Sequence, residues 1–132
     1  MAQIANLTVK KFDGTTDIVY VAKTGAAGNG QPAVWRADSV QPIPAHCPTF
    51  TLQASSNANG TTRIMKWEFD LPIIDSSSGS PVVLGHQKGN GTIPVLQNAD
   101  WNQVKEGIAQ QLNLMATALI RTSLLEGYAP RS

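Results

Sequence analysis

Apolar and polar side chains alternate along the two arms of FTLQASSNANGTTRIMKWEFDLP, residues 50–72. Alternation with a period of two predicts β-strands that are apolar on one side and polar on the other. Asn59-Gly60 separates the arms and favours a type I′ hairpin turn, because such a turn needs positive φ at both central residues. A turn there pairs polar with polar and apolar with apolar residues across the hairpin. The pattern predicts a two-faced β-ribbon with strands of about ten residues.

The two faces of this ribbon differ in chemistry. The apolar face is expected to pack beneath the C-terminal helices and consists of Phe50, Leu52, Met65, Trp67, Phe69 and Leu71. The polar face consists of Thr49, Thr51, Gln53, Lys66, Glu68 and Asp70. By the same alternation, a strand in HQKGNGTI adds His86, Lys88, Asn90 and Thr92 to the polar side. Such a face is ordinarily just solvated, but hydroxyls, amides and a few charges also suit hydrogen bonding to bases and phosphates.

Turn residues also divide the part of the chain that precedes the central hairpin into short strands. Leu7, Val9 and DIVYVA flank FDGTTD, whose Asp13-Gly14 pair predicts a β-hairpin over residues 3–22. The glycine-rich segment KTGAAGNGQP predicts a loop, and it lacks the Gly-Lys-Ser/Thr ending of a phosphate-binding loop. AVWRADS predicts a short strand, and the prolines of VQPIPAHCP exclude a central strand before about residue 48.

The C-terminal region changes to helical periodicity. One helical face consists of Trp101, Val104, Ile108 and Leu112. A second helical run consists of Met115, Leu119, Ile120 and Leu124. The expected N-cap is Asn98 or Asp100, the expected bend is Asn113, and Gly127 ends the second helix. Strands first and helices last predict one α+β domain, residues 1–132, with a sheet over 33–97 and helices over 99–127 on one sheet face.

Composition narrows the possible functions. A chain of 132 residues buries a core without metals or disulfides. A net charge of +1 excludes binding to nucleic acid through bulk positive charge, so any such contact is local. Cys47 is the only cysteine, which excludes an intramolecular disulfide and a thiolate zinc site and favours a small buried side chain. No signal-peptide pattern and no membrane-spanning apolar run is visible.

Catalysis finds little support in the sequence. Glu68 and Asp70 share one strand face, but the sequence indicates neither a cleft nor a group that could exchange a proton with these carboxylates. Cys47 and His46 are neighbours whose side chains point to opposite sides of an extended chain, so they do not form a nucleophile and base. His86 alone is more typical of a surface histidine than of a ligand. We therefore expect no enzyme, no catalytic or metal-binding residues and no cofactor.

Several segments, in their order and spacing, resemble the coat proteins of the small single-stranded RNA bacteriophages, the leviviruses. GTTDIVYVA is similar to the second arm of that family's N-terminal hairpin, and NGQPAVW to the segment that ends in Trp35. TLQASSNANGTTRIMKWEF is similar to its central hairpin, TIPV to its last strand and EGYAP to its C-terminal end. The resemblance implies an N-terminal hairpin, a five-stranded antiparallel sheet and two C-terminal helices. It also implies an intertwined dimer whose ten-stranded sheet faces the particle interior.

In function, the resemblance implies a capsid protein that self-assembles into an icosahedral shell around single-stranded RNA. It also implies that the open sheet face binds an RNA operator hairpin and thereby represses translation of the replicase. By position, the implied RNA-binding residues are Thr49, Thr51, Gln53, Lys66, Glu68, His86 and Lys88. The implied partners are further copies of the chain, the viral RNA and a maturation protein, with no membrane. The implied location is a virion assembled in the cytoplasm of a bacterial host.

Three positions depart from the family pattern. His86 stands where some members place an aromatic ring that stacks on a base, a role that an imidazole can also take. Ile64 and Thr62 stand where hydroxyl or lysine side chains serve elsewhere. The segment DSSSGSPVVLG, which corresponds to the loop at the particle's symmetry axes, is shorter than in familiar members and lacks cysteine. Disulfide-linked rings of subunits are therefore not expected.

Two other functions stay open at this stage. A small dimeric RNA-binding regulator that forms no shell would need a denser basic or aromatic face than Lys66, Lys88 and His86 provide. An adhesin or carbohydrate-binding β-domain would need exposed aromatic residues at a shallow groove, which the sequence does not indicate.

Overall fold

The strands of the protein form one antiparallel meander that is followed by two helices. The computed structural model describes residues 3–28 and 30–131. The strands are β1 (Leu7–Lys10), β2 (Asp17–Thr24), β3 (Ala33–Arg36), β4 (Thr49–Ser56), β5 (Thr62–Asp75) and β6 (Val82–Leu96). The helices are α1 (Trp101–Met115) and α2 (Ala118–Glu126), and a short 3-10 helix spans Pro44–His46. The predicted α+β class is confirmed.

The N-terminal hairpin is continuous with the rest of the sheet. Residues 17–20 of β2 pair with β1, and residues from Val21 onward pair with β3. The order across the sheet is therefore β1-β2-β3-β4-β5-β6. The predicted N-terminal hairpin and the predicted five-stranded sheet therefore share β2. All six strands follow one another without a break.

The register of the central hairpin β4–β5 is the predicted one. The paired residues include Thr49 with Asp70, Thr51 with Glu68, Leu52 with Trp67, and Gln53 with Lys66. Each pair joins two residues of the same chemical character, as the alternation requires. β5 and β6 are 14 and 15 residues long, and they run past the end of β4 to the loop at residues 76–81. The predicted length of about ten residues applied to β4 and β5, which are 8 and 14 residues long.

The turn of this hairpin differs from the prediction. Asn57 N donates to Thr62 O at 3.1 Å, and Gly60 N donates to Asn57 O at 3.2 Å. Among the described residues only glycines have positive φ, so Asn59 does not adopt the conformation of a type I′ turn. The prediction of that turn type was wrong, and the connection is the wider loop of residues 58–61. The register survives because the wider loop takes equally many residues from each arm.

The buried core is small and lies under β2, β3 and β4. Tyr20 and Trp35 are buried, and Trp35 packs against Phe50 with ring centroids 5.7 Å apart. Tyr20 and Phe69 lie 6.4 Å apart by the same measure. The indole Nε1 of Trp35 donates to the carbonyl oxygen of Ala5 at 2.8 Å, so its polar atom is satisfied.

The two helices begin and end for local reasons. Asp100 caps α1, since its carboxylate accepts a backbone N–H of the first turn at 3.1 Å. The helices separate at residues 116–117, so the predicted bend at Asn113 was wrong. Thr117 is extended, and its hydroxyl donates to a carbonyl in the last turn of α1 at 2.8 Å, which competes with helix continuation. Gly127 ends α2 with a φ of 79°.

The helices do not cover the apolar face of their own sheet. Trp101 and Leu112 are each 56% exposed, and Leu119 is 64% exposed. The chain has 9615 Å² of accessible surface, whereas a compact monomer of 14.1 kDa exposes about 6,700 Å². The apolar ribbon face therefore does not pack beneath the helices of the same chain. No helix of the described ranges is long and apolar enough to cross a bilayer.

Candidate nucleic-acid interface

Three rows of side chains cross the open face of the sheet, perpendicular to the strands. The first row contains Arg36, Thr49, Asp70 and Lys88. The second row contains Val34, Thr51, Glu68 and Asn90. The third row contains Gln53, Lys66 and Thr92. His86 lies opposite Pro72, beside the first row. Alternate residues of a strand point to the same side, so these rows form one surface, which we call the polar face.

The seven residues predicted to bind RNA all lie on the polar face. They are Thr49, Thr51, Gln53, Lys66, Glu68, His86 and Lys88. The predicted addition of Asn90 and Thr92 from β6 to the same side is also confirmed by the strand register. The structure thus brings the predicted residues together on three adjacent strands. Their role in RNA binding stays a prediction.

One ion pair and one hydrogen-bonded pair of side chains lie on the polar face. Lys66 Nζ is 3.2 Å from Glu68 Oε1, and His86 Nδ1 is 2.9 Å from Asp70 Oδ1. All four side chains are between 35% and 55% exposed, so each pair contributes at most about 1 kcal/mol. Neither pair therefore contributes much to the stability of the sheet. Lys88 makes no ion pair within the described chain, and its ammonium group is available to an anion.

A shallow depression of about 270 Å³ lies between β4, β5 and β6 on the polar face. Its polar lining consists of Thr49, Thr51, Glu68, Asp70, Lys88 and Asn90. The hydroxyls and the amide both donate and accept hydrogen bonds, the carboxylates accept, and the ammonium group donates. The volume is below the roughly 300–1,000 Å³ of pockets that enclose a drug-sized ligand. The depression suits one flat group with a hydrogen-bonding edge, such as a nucleobase.

Arg36 is a residue of the polar face that the sequence pattern did not identify. It lies next to Thr49 because β3 pairs with β4. Its Nε is 2.5 Å from Asp38 Oδ1, and Lys23 Nζ contacts the other oxygen of the same carboxylate. The hydrogen bonds from Lys23 and then from Arg36 hold the pKa of Asp38 below its ordinary value. The sequence analysis missed Arg36 because the sequence of β3 does not specify which strand β3 pairs with.

The residues considered for catalysis are not assembled into a reactive site. Cys47 is buried, as predicted, and its Sγ lies 3.3 Å from the carbonyl oxygen of Gln41. His86 forms a hydrogen bond with the carboxylate of Asp70. Within residues 3–28 and 30–131, no group of three or more His, Cys, Asp or Glu side chains is placed to hold a metal ion. The hydroxyl, amide and charged groups of the polar face suit binding by hydrogen bonds and charge.

Sequence comparison and structure comparison give different results for this chain. No protein-family model and no curated protein sequence matches it. The fold, in contrast, matches solved structures over nearly the whole chain. A virus-like particle of Beihai levi-like virus 21 has a TM-score of 0.82 at 15% identity, over 99% of this chain and 100% of that chain.

Two further matches come from phages. A virus-like particle of bacteriophage NT-214 has a TM-score of 0.81 at 17% identity, over 98% of this chain and all of that chain. The coat protein of bacteriophage EMS014 has a TM-score of 0.79 at 12% identity, with the same coverage. At these identities the likeness establishes the fold. The chain has the fold of coat proteins of levi-like phages, and the predicted resemblance is confirmed at that level.

Proposed function

We propose that the protein is the structural subunit of an icosahedral shell that encloses single-stranded RNA. The observation that carries this proposal is the match in fold, from end to end of the chain, with subunits of phage virus-like particles. A likeness of fold alone leaves other functions open. Two features of this chain, its uncovered apolar surfaces and its polar face, add independent support.

The uncovered apolar surfaces support a two-fold dimer. The surplus over a compact monomer is about 2,900 Å² per chain, or about 5,800 Å² for two chains, which is the size of the largest interfaces of obligate dimers. One such surface is a depression of about 250 Å³ on the sheet, lined by Leu7, Val9, Tyr20, Phe50 and Phe69. The other is the apolar stripe of α1 and α2. Each chain carries both apolar surfaces. In a two-fold dimer the helices of each chain cover the sheet of the other, so that all four apolar surfaces leave water together.

The free edge of β6 supports the same dimer. β6 is 15 residues long and lies at the end of the strand order, so its outer backbone groups have no strand partner within the described chain. A long exposed edge is prone to indiscriminate pairing unless it is covered. Pairing of β6 with its two-fold copy joins the sheets of both chains, so that strands β2–β6 of each chain supply ten adjacent strands and β1 continues the sheet at each outer end. The polar faces of the two chains then form one continuous surface.

In the proposed shell, this continuous surface faces the enclosed RNA. Lys88 and Lys66 supply charge to phosphates, while Thr49, Thr51 and Asn90 supply hydrogen-bonding groups to base edges. The same surface is proposed to bind an operator hairpin and so to repress replicase translation. The shell would form in the bacterial cytoplasm and, in the virion, would also contact a maturation protein.

Expression of the chain alone followed by negative-stain electron microscopy tests the shell. The expected product is a uniform population of closed isometric particles that contain RNA protected from ribonuclease. Dimers that never form particles, over a range of salt and protein concentration, would contradict the shell and favour a small RNA-binding regulator. Stable monomers in sedimentation would contradict both the dimer and the shell.

A further inference from the structure

We infer that Arg36, together with Lys23, forms a second phosphate-binding position at the β2–β3 side of the polar face. The inference rests on the proposed function, because it takes the ligand of the polar face to be single-stranded RNA. It extends the interface beyond β4, β5 and β6, which carry all seven residues predicted from the sequence.

The geometry of the first row carries this inference. Arg36 and Lys88 lie at opposite ends of the row, with Thr49 and Asp70 between them. Neighbouring strands are about 4.8 Å apart, so the two cationic residues are separated by roughly 14 Å along the row. A strand of RNA that crosses the β-strands at a right angle therefore meets a cation at each end. Between them its bases lie over the depression at Thr49.

Asp38 bridges the two cations and offsets only one of their two positive charges. One carboxylate receives Arg36 Nε and Lys23 Nζ, so the cluster of three side chains keeps one net positive charge. A guanidinium group has five N–H donors, and the bond to Asp38 uses the one on Nε. The Nη groups of Arg36 make no hydrogen bond within the described residues and remain for a phosphate. A fork oriented in this way loses little conformational freedom when it binds.

Arg63 provides a matched comparison on the same protein. It lies on β5 opposite Ser56, and its odd position in the alternation places it on the other side of the sheet from Lys66 and Glu68. Replacing either arginine by glutamine removes the same charge and keeps most of the side chain. A difference between the two variants therefore reports the location of the charge rather than the net charge of the protein.

The test measures binding of a fluorescein-labelled 12-nucleotide oligouridine to unassembled protein, by anisotropy, from about 50 to 200 mM salt. Each phosphate contact on a single strand contributes about 0.7 to the slope of log affinity against log salt. Arg36→Gln should reduce the magnitude of this slope by about 0.7, which corresponds to about a 5-fold loss of affinity at 0.1 M salt. Arg63→Gln should match the unaltered protein, and Arg36→Lys should keep most of the slope.

A second variant covers the case in which Arg36→Gln does not fold. Lys23→Gln should also reduce the slope, since it removes the other cation of the cluster. Asp38→Asn should raise affinity, because it removes the negative charge beside the phosphate.

An unchanged slope in Arg36→Gln or Lys23→Gln, with a reduced slope in Lys88→Gln, overturns the inference and leaves the proposed function standing. Equal losses in Arg36→Gln and Arg63→Gln overturn it too, since net charge then explains both. An unaltered protein that binds no oligouridine and encloses no RNA contradicts the proposed function itself.

Discussion

A methyl group added at Gly91 should destabilise the protein, whereas the same addition at Gly89 should not. Both glycines lie on β6 beneath the indole ring of Trp67. A Cβ atom at Gly91 would lie 2.5 Å from Nε1 and 2.7 Å from Cε2 of that ring. The nearest ring atom to a Cβ at Gly89 is 3.7 Å away, which is an ordinary van der Waals contact. The indole must move in Gly91→Ala and can stay in place in Gly89→Ala.

The expected magnitude follows from two opposing terms. Alanine restricts the unfolded chain more than glycine does, which stabilises each variant by about 0.4–1 kcal/mol where the backbone tolerates it. Forcing a side chain out of a packed position costs about 1–3 kcal/mol. The first term is common to both variants and the second applies to Gly91→Ala alone. The free energies of unfolding should therefore differ by roughly 1–3 kcal/mol, with Gly91→Ala the less stable.

Urea unfolding followed by far-ultraviolet circular dichroism measures this difference. Both variants are compared at one protein concentration, because the stability of an oligomer depends on it. The double variant Trp67→Phe, Gly91→Ala provides the control, since a smaller ring relieves the overlap. Its loss of stability relative to Trp67→Phe should be smaller than the loss caused by Gly91→Ala alone. A Gly91→Ala protein as stable as Gly89→Ala would refute the close approach of indole and backbone.

Three further predictions concern the interface, the dimer and the first turn. Lys66→Ala should weaken binding to a cognate hairpin by about 1–3 kcal/mol if Lys66 contacts a base, with particle assembly unchanged, as mobility shifts at fixed salt and electron microscopy can show. Leu112→Asp should prevent dimers in sedimentation, whereas Gln103→Asp on the opposite side of α1 should not; equal effects would contradict an apolar contact there. Hydrogen bonds from Thr16 and its neighbour lower the pKa of Asp13 to about 2. Because this pKa is depressed, the contribution of Asp13 to stability is present above its ordinary value of 3.8 and is lost as pH falls through about 2. A side-chain NMR titration midpoint near 3.8 would contradict this.

Much of the polar face was predictable from local pattern. Alternation in β4 and β5 assigns Thr51, Lys66 and Glu68 to one side, because successive strand residues point in opposite directions. The same rule in β6 adds Lys88 and Asn90. The predicted register depends on where the turn is centred and not on its type, since any loop that takes equally many residues from both arms preserves the pairing. For this reason the register was right although the turn type at Asn59 was wrong.

The other end of the polar face was not predictable in this way. Arg36 reaches the first row only because β3 pairs with β4, after a proline-rich segment of irregular chain. Asp38 joins it to Lys23 from a different strand. Such contacts depend on the path of the chain between strands. Neither secondary-structure propensity nor hydrophobic periodicity predicts that path. The break between the helices at Thr117 was missed for a related reason. The hydroxyl of Thr117 donates to the carbonyl of Leu114, and the sequence alone does not distinguish such a threonine from one inside a helix.

The sequence by itself determined the strands, the central register, the two faces of the sheet and the apolar stripe of the helices. Each of these follows from side-chain periodicity or turn chemistry, which act over a few residues. The tertiary structure decided that the stripe does not cover the sheet of its own chain. A periodic pattern specifies which surface must leave water, but it does not specify which molecule covers it. The position of β6 at the sheet edge, with α1 directly after it, leaves both apolar surfaces open to a partner.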